Sequence, residues 1–123
     1  LKDLAKNGIN ILDVTGAGQV SHWEDLAGVR GLLPAMQNNI TVSVTDSAEA
    51  IELWKSQSIF DAWITYESWY YRLKDVTDLV KLPESEKLYR GTPIAVTSIS
   101  SNRSLALEFI EYLKSEPAHA VFQ

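Results

Sequence analysis

The sequence predicts an α/β fold, an open and mostly parallel sheet flanked by helices. Apolar, β-rich runs at residues 9–14, 40–44 and 60–65 alternate with segments of helical period at 20–27 and 47–57. Connections of that length suit right-handed crossovers between parallel neighbours. The first run also enters a glycine-flanked loop, Thr15-Gly16-Ala17-Gly18-Gln19. Open sheets of this kind meet their ligands at such loops, beyond the carboxyl ends of the strands.

Each element has its own signal. Ile9-Asn10-Ile11-Leu12-Asp13-Val14 is apolar enough for a buried strand, and Val20, Trp23, Leu26 and Ala27 then recur at helical spacing until Gly28. Apolar residues at 29, 32, 33 and 36 are interrupted by Gly31 and Pro34, which predicts a short or broken helix closed by Asn38-Asn39. Ile40-Thr41-Val42-Ser43-Val44 alternates as a strand with one buried face. Asp46 is placed to cap a helix over 47–57, with Glu49 in a capping-box arrangement and Ala50, Ile51 and Trp54 on the inner side. Residues 60–65 return to strand character, and 67–73 suit one or two helical turns. Residues 79–82 form a short apolar run that stops at Pro83. A further strand is expected over 93–96, with proline at its start, where the lost N–H costs least. Residues 104–114 are strongly helical, capped by Ser101, Asn102 or Ser104, and a last helix over 117–122 carries Pro117 in its first turn.

Composition narrows the function classes. The chain has 123 residues, 46% hydrophobic and 22% charged, within the range of one globular domain. Sixteen acidic against eleven basic residues give a formal charge of −5 with no basic stripe, so nucleic acid is excluded as the expected partner. The absence of cysteine removes disulfides and thiolate metal sites and leaves the compartment open. No run approaches the roughly twenty apolar residues of a membrane span. The chain starts without Met and without a basic-apolar leader, so a piece of a longer protein is expected.

Three loops fall at predicted strand ends: 15–20, 45–47 and 65–69. In the first, glycines let backbone N–H groups approach a ligand, and the following helix points its positive end there, which makes an anion seat without a cation. The same glycines also suit a plain tight turn. A phosphate-transfer loop needs a lysine after the second glycine, and none follows until Lys55. A dinucleotide fingerprint needs a third glycine where Ser21 stands, and no acidic residue closes the second strand about twenty residues on. Ser21 and His22 are adjacent and diverge on a helix, so His22 reads as a surface or cap histidine. His119 has no ligand at metal-binding spacing. Asp61 and Glu67 flank the third strand with too much between them for acid–base work on one bond. No catalytic residue, metal site or cofactor is expected. Trp63, Tyr66, Trp69, Tyr70 and Tyr71 serve either as core packing or as a wall closing over a bound solute. Arg90 is either a cation for an anionic ligand or a solvated loop arginine.

The combination of Thr15-Gly16-Ala17-Gly18-Gln19 with Trp23-Glu24-Asp25 and Ala27-Gly28 is joined by Asn39-Ile40, Ser47-Ala48-Glu49-Ala50, Asp61-Ala62-Trp63-Ile64 and Tyr89-Arg90. Together they resemble the carboxyl-terminal half of the accessory colonization factor-type solute-binding proteins, which are similar to the molybdate and sulfate binders of ABC importers. Pro93-Ile94-Ala95-Val96, the helix from Ala106 to Ser115 and residues 118–122 resemble the close of a type II periplasmic binding protein. The resemblance covers essentially the whole chain. It implies two α/β lobes that shut on a small ligand and hand it to a membrane permease.

On that resemblance, residues 1–90 are the second lobe, and 91–123 are a return strand and helices that normally pack on a first lobe missing from this chain. Leu105, Phe109, Leu113 and Phe122 then lack their native cover, and the helices are expected to fold onto this lobe or to pair with another copy as a homodimer or segment swap. Thr15, Gly16, Ala17, Gly18 and Gln19 match the loop that meets an anion, and Thr65, Tyr66 and Glu67 match the loop after strand three. An Ile-Trp-Asn-like turn expected of relatives is replaced there by Thr65-Tyr66-Glu67, which places a carboxylate near the anion. With Arg90, these are the candidate ligand residues. The expected function is the solute-binding component of an ABC-type importer, non-enzymatic, binding a small anion such as an oxoanion, a carboxylate or a phosphorylated metabolite. Its expected location is periplasmic or extracellular, anchored to the membrane. The alternatives are a ligand-sensing domain of a regulator or adhesin, or a nucleotide-binding enzyme domain.

Overall fold

The computed structural model describes residues 1–16 and 22–122. They form two units, Leu1–Leu88 and Tyr89–Gln123. In the first unit β1 (Ile11–Val14), β2 (Ile40–Val44) and β3 (Ala62–Trp63) make a parallel sheet in the order β2-β1-β3. The helices between them are α1 (His22–Ala27), α2 (Leu33–Gln37) and α3 (Ser47–Ser56), and a 3-10 turn over Glu67–Trp69 runs into α4 (Tyr70–Leu73). The expected α/β class, with an open parallel sheet flanked by helices, is what forms.

β1 is buried at all four positions because both of its faces are covered. Side chains alternate along a strand, so its residues divide between two cores. Ile11 packs with Trp23, Ala27 and Met36 beneath α1 and α2. Leu12 and Val14 pack with Val44 and Ala50 beneath α3, where Leu53, Trp54, Phe60 and Trp63 close the edge. The pairing of β1 with β2 steps from Ile11↔Ile40 to Leu12↔Val42, which leaves Thr41 as an extra residue. Its hydroxyl donates to Asn10 Oδ1 at 3.0 Å.

Local chemistry sets the helix limits. The Asp46 carboxylate accepts from the N–H groups of Ala48 (2.8 Å) and Glu49 (2.9 Å), the cap expected of it. The broken helix after α1 breaks where expected: a 3-10 turn ends at Gly31, whose φ of 66° is left-handed, and Pro34 then enters the first turn of α2. The third strand is shorter than its apolar run. Asp61 and Ala62 both donate to the Asn10 carbonyl, at 2.8 and 3.3 Å, and only Ala62 and Trp63 pair with β1.

The second unit carries α5 (Arg103–Leu113) and α6 (Glu116–Phe122). The strand expected over 93–96 does not form, and residues 90–97 have no regular structure. Strand conformation is sustained by a neighbour's hydrogen bonds, and the regular elements of this unit are helices. Ala118 is buried, whereas Leu105 (66% exposed), Phe109 (54%) and Tyr112 (53%) present apolar surface on α5.

Candidate functional site

The carboxyl end of β1 is tied down before its loop begins. Asp13 is a buried carboxylate with both oxygens engaged: the Trp23 indole N–H donates to Oδ1 at 2.5 Å and the Ser43 hydroxyl to Oδ2 at 2.9 Å. One side chain thus joins β1 to α1 and to β2. Thr15 continues the ladder, since its N–H (2.8 Å) and its hydroxyl (3.1 Å) both donate to the Val44 carbonyl. Gly16 is pressed against the next loop; a Cβ there would stand 2.1 Å from the Thr45 carbonyl oxygen. The close approach of two backbones therefore requires the first glycine with or without a ligand. Ala17, Gly18 and Gln19 lie outside the described residues.

His22 opens α1. It is buried, against the surface or cap position expected from its spacing, because its ring meets Tyr66 edge-on at 5.1 Å and 81°. An imidazole on a polar helical start gives no sequence signal for a partner forty-four positions away. That contact brings the beginning of α1 to the loop after β3.

Two cavities open around that loop. The smaller, about 290 Å³, is lined by Ser47, Tyr66, Ser68, Trp69 and Arg72. It combines two hydroxymethyl side chains, two aromatic rings and one guanidinium, with no carboxylate among the described residues. The Arg72 guanidinium lies 5.2 Å from the centre of the Trp69 ring, a cation–π contact that holds it in place. Arg72 is the cation that sequence reading missed. Its signal is present, since Ser68 and Arg72 stand at i and i+4 and Trp69 one turn before Arg72.

The larger cavity, about 600 Å³, is a groove along β3. Trp63 stacks on Trp69 (6.2 Å, 27°) and tilts against Trp54 (6.3 Å, 42°), which builds one aromatic wall. Leu73, Leu79, Val80 and Leu82 are among the further apolar residues of its lining. Two buried polar atoms of its lining residues lack a hydrogen-bond partner, the Trp63 indole N–H and the Thr65 hydroxyl. Buried polar groups are usually satisfied, so this pair is an exception in the packing beside β3.

The sequence-derived candidates are distributed accordingly. Tyr66 lines both cavities, Thr65 and Glu67 line the groove, and Glu67 is absent from the recess that holds Arg72. Arg90 is exposed in the second unit. Among the described residues no group of three or more His, Asp or Glu could hold a metal ion. No described helix is long and apolar enough to cross a membrane. The family model for bacterial extracellular solute-binding proteins matches residues 1–123, the whole chain. No curated protein matches it.

Proposed function

We propose, from the premise that the chain belongs to the bacterial extracellular solute-binding protein family, that it is the anion-binding lobe of an importer's solute receptor. The receptor is of the type II, two-lobed kind and delivers its solute to an ABC-type permease from the periplasm or the cell surface. The observation that carries the reading is the recess of Ser47, Tyr66, Ser68, Trp69 and Arg72 at the carboxyl side of β2 and β3. Hydroxyl donors and one immobilised guanidinium, without a carboxylate, suit a small oxoanion, a carboxylate or a phosphate ester. Glu67 lines the groove and not the recess, so its carboxylate does not meet a ligand there directly. In this reading the Gly16 amide at the end of β1 is a further donor to the anion. Binding by hydroxyls and amides without a transfer chemistry suits reversible capture and release.

Residues 1–90 are the binding lobe in this reading, and 91–123 pack on a first lobe elsewhere in the receptor. The exposed Leu105, Phe109 and Tyr112 on α5 support that assignment, because a monomer rarely leaves such a row uncovered. In a chain without the first lobe, the same row is a route to a homodimer or segment swap.

The test is calorimetric titration of the full-length receptor with molybdate, sulfate, phosphate and small carboxylates. Arg72→Gln is expected to weaken the best ligand by about tenfold or more, the worth of one charge-assisted contact. An unchanged affinity in that variant, with the fold intact by circular dichroism, would sink the recess as the seat.

A further inference from the structure

Between the 3-10 turn of Lys2–Ala5 and β1 the chain makes a short turn with Asn7 and Gly8 at its centre, both exposed. Gly8 has a φ of 86°, the left-handed region that glycine enters without strain, and nothing lies within 4 Å of where a Cβ would stand. Asn39 holds both ends of this turn. Its side-chain amide donates to the Leu4 and Lys6 carbonyls, each at 2.7 Å, and its carbonyl accepts from the Ile11 N–H at 2.9 Å. Between those anchors, neither the Asn7 side-chain amide nor the Gly8 N–H is hydrogen-bonded to any described residue.

Asparagine before glycine is a reactive pair, one reason asparagine counts among the thermolabile residues. The backbone nitrogen of the glycine attacks Cγ of the preceding side chain: the N–Cγ bond forms, the Cγ–Nδ2 bond breaks, and the proton from the nitrogen departs with the amide as ammonia. One water then opens the succinimide ring. Its addition at Cγ restores the backbone and leaves aspartate, whereas its addition at the main-chain carbonyl leaves isoaspartate, with the chain running through the side chain. Of the five asparagines, Asn7 is the one followed by glycine, whose nitrogen has no neighbouring side chain to hinder the attack. At the others that nitrogen is engaged or crowded. The Ile11 N–H after Asn10 donates to the Asn39 carbonyl at 2.9 Å, and the Asn39 N–H after Asn38 donates to the Met36 carbonyl at 3.0 Å. Asn39 and Asn102 precede the bulky Ile40 and Arg103.

We infer that the Asn7-Gly8 turn is a self-modification site, at which the folded protein converts Asn7 through a succinimide to aspartate and isoaspartate. The product is one charge more negative than the −5 of the sequence, and the neighbouring Lys6 is already paired with Asp3 at 2.5 Å. Isoaspartate adds a backbone atom between the anchored Lys6 carbonyl and the anchored Ile11 N–H, so aspartate is the product that leaves the Asn39 bonds undisturbed. The site lies at the amino end of β1, away from the anion recess at the carboxyl side of the sheet, and does not rest on that reading.

The experiment is prolonged incubation of the full-length protein in mildly alkaline buffer, native and in parallel unfolded in urea, followed by proteolysis and mass spectrometry that places each conversion of amide to acid. The native protein is expected to convert Asn7 severalfold faster than any other asparagine, with release of ammonia in step. The reaction should slow in neutral buffer, because the attacking nitrogen must lose its proton. On anion exchange the aspartate form should co-elute with Asn7→Asp. Asn7→Gln, at an exposed position where folding is little affected, has to close a larger ring and is expected to stay unconverted over the same period. Conversion of Asn7 in urea but not in the native protein would show that the folded turn keeps the ring from closing, and would overturn the proposal. Equal conversion at the other asparagines, or undiminished ammonia release from Asn7→Gln, would overturn it as well.

Discussion

The two sides of β1 are built to different standards. Toward β2, the ladder runs from Ile11 to Val14, Ile11 and Leu12 are fully buried, both Asp13 oxygens accept, and both Thr15 donors are used. Toward β3, only two residues pair, the aromatics are half-buried, and the Trp63 N–H and Thr65 hydroxyl are unpartnered. Satisfied polar groups and closed packing go into stability, whereas a buried polar group without a partner costs it. The β2 side is therefore the frame and the β3 side its looser edge.

Substitutions should separate the two sides. The largest effect is expected for Leu12→Ala, at a fully buried position between the sheet and α3, with a loss of about 3 kcal/mol by urea denaturation. A loss below about 1 kcal/mol would mean that the frame is not where the stability resides. Asp13→Ala should cost about 2 kcal/mol, because it strands the Trp23 and Ser43 donors together. Asp13→Asn should recover most of that, since an amide keeps an acceptor for the indole and turns a donor toward the Ser43 hydroxyl. Equal losses for the two variants would show that packing alone matters at this site. The smallest effect is expected on the other side. Trp63→Phe should change stability by less than about 1 kcal/mol, since the lost indole N–H had no partner to lose. A cost matching that of Leu12→Ala would erase the contrast between the sides.

Much of the frame was legible in the sequence, for reasons local to each segment. The alternation of Ile40 to Val44 and the Asp46 cap are short-range signals, and both elements form where those signals stand. Strand 93–96 failed because β structure is a property of pairs, and Pro93-Ile94-Ala95-Val96 carries no information about a neighbour. The glycine loop was half legible. Its location at a strand end is correct, but the need for Gly16 arises from the Thr45 carbonyl, twenty-nine positions away. Asp13 passed as one polar residue in a strand, although an acidic side chain on a buried strand must find donors. Arg72 and Trp69 were within reach of helical spacing, whereas the sharing of Tyr66 and Trp69 by both cavities depends on how the chain turns after β3.

The four tryptophans also give the molecule a set of optical probes. The Trp23 indole is buried and bound to a carboxylate, that of Trp54 donates to the Val76 carbonyl at 3.2 Å, that of Trp63 is dry but unpaired, and Trp69 lies under a guanidinium. Each ring thus experiences a different local field. Emission from Trp23 reports the joint between strand and helix, while Trp63 and Trp69 report the packing beside β3. Loss of the frame and loosening beside β3 can therefore be followed in one sample, without any label on the protein.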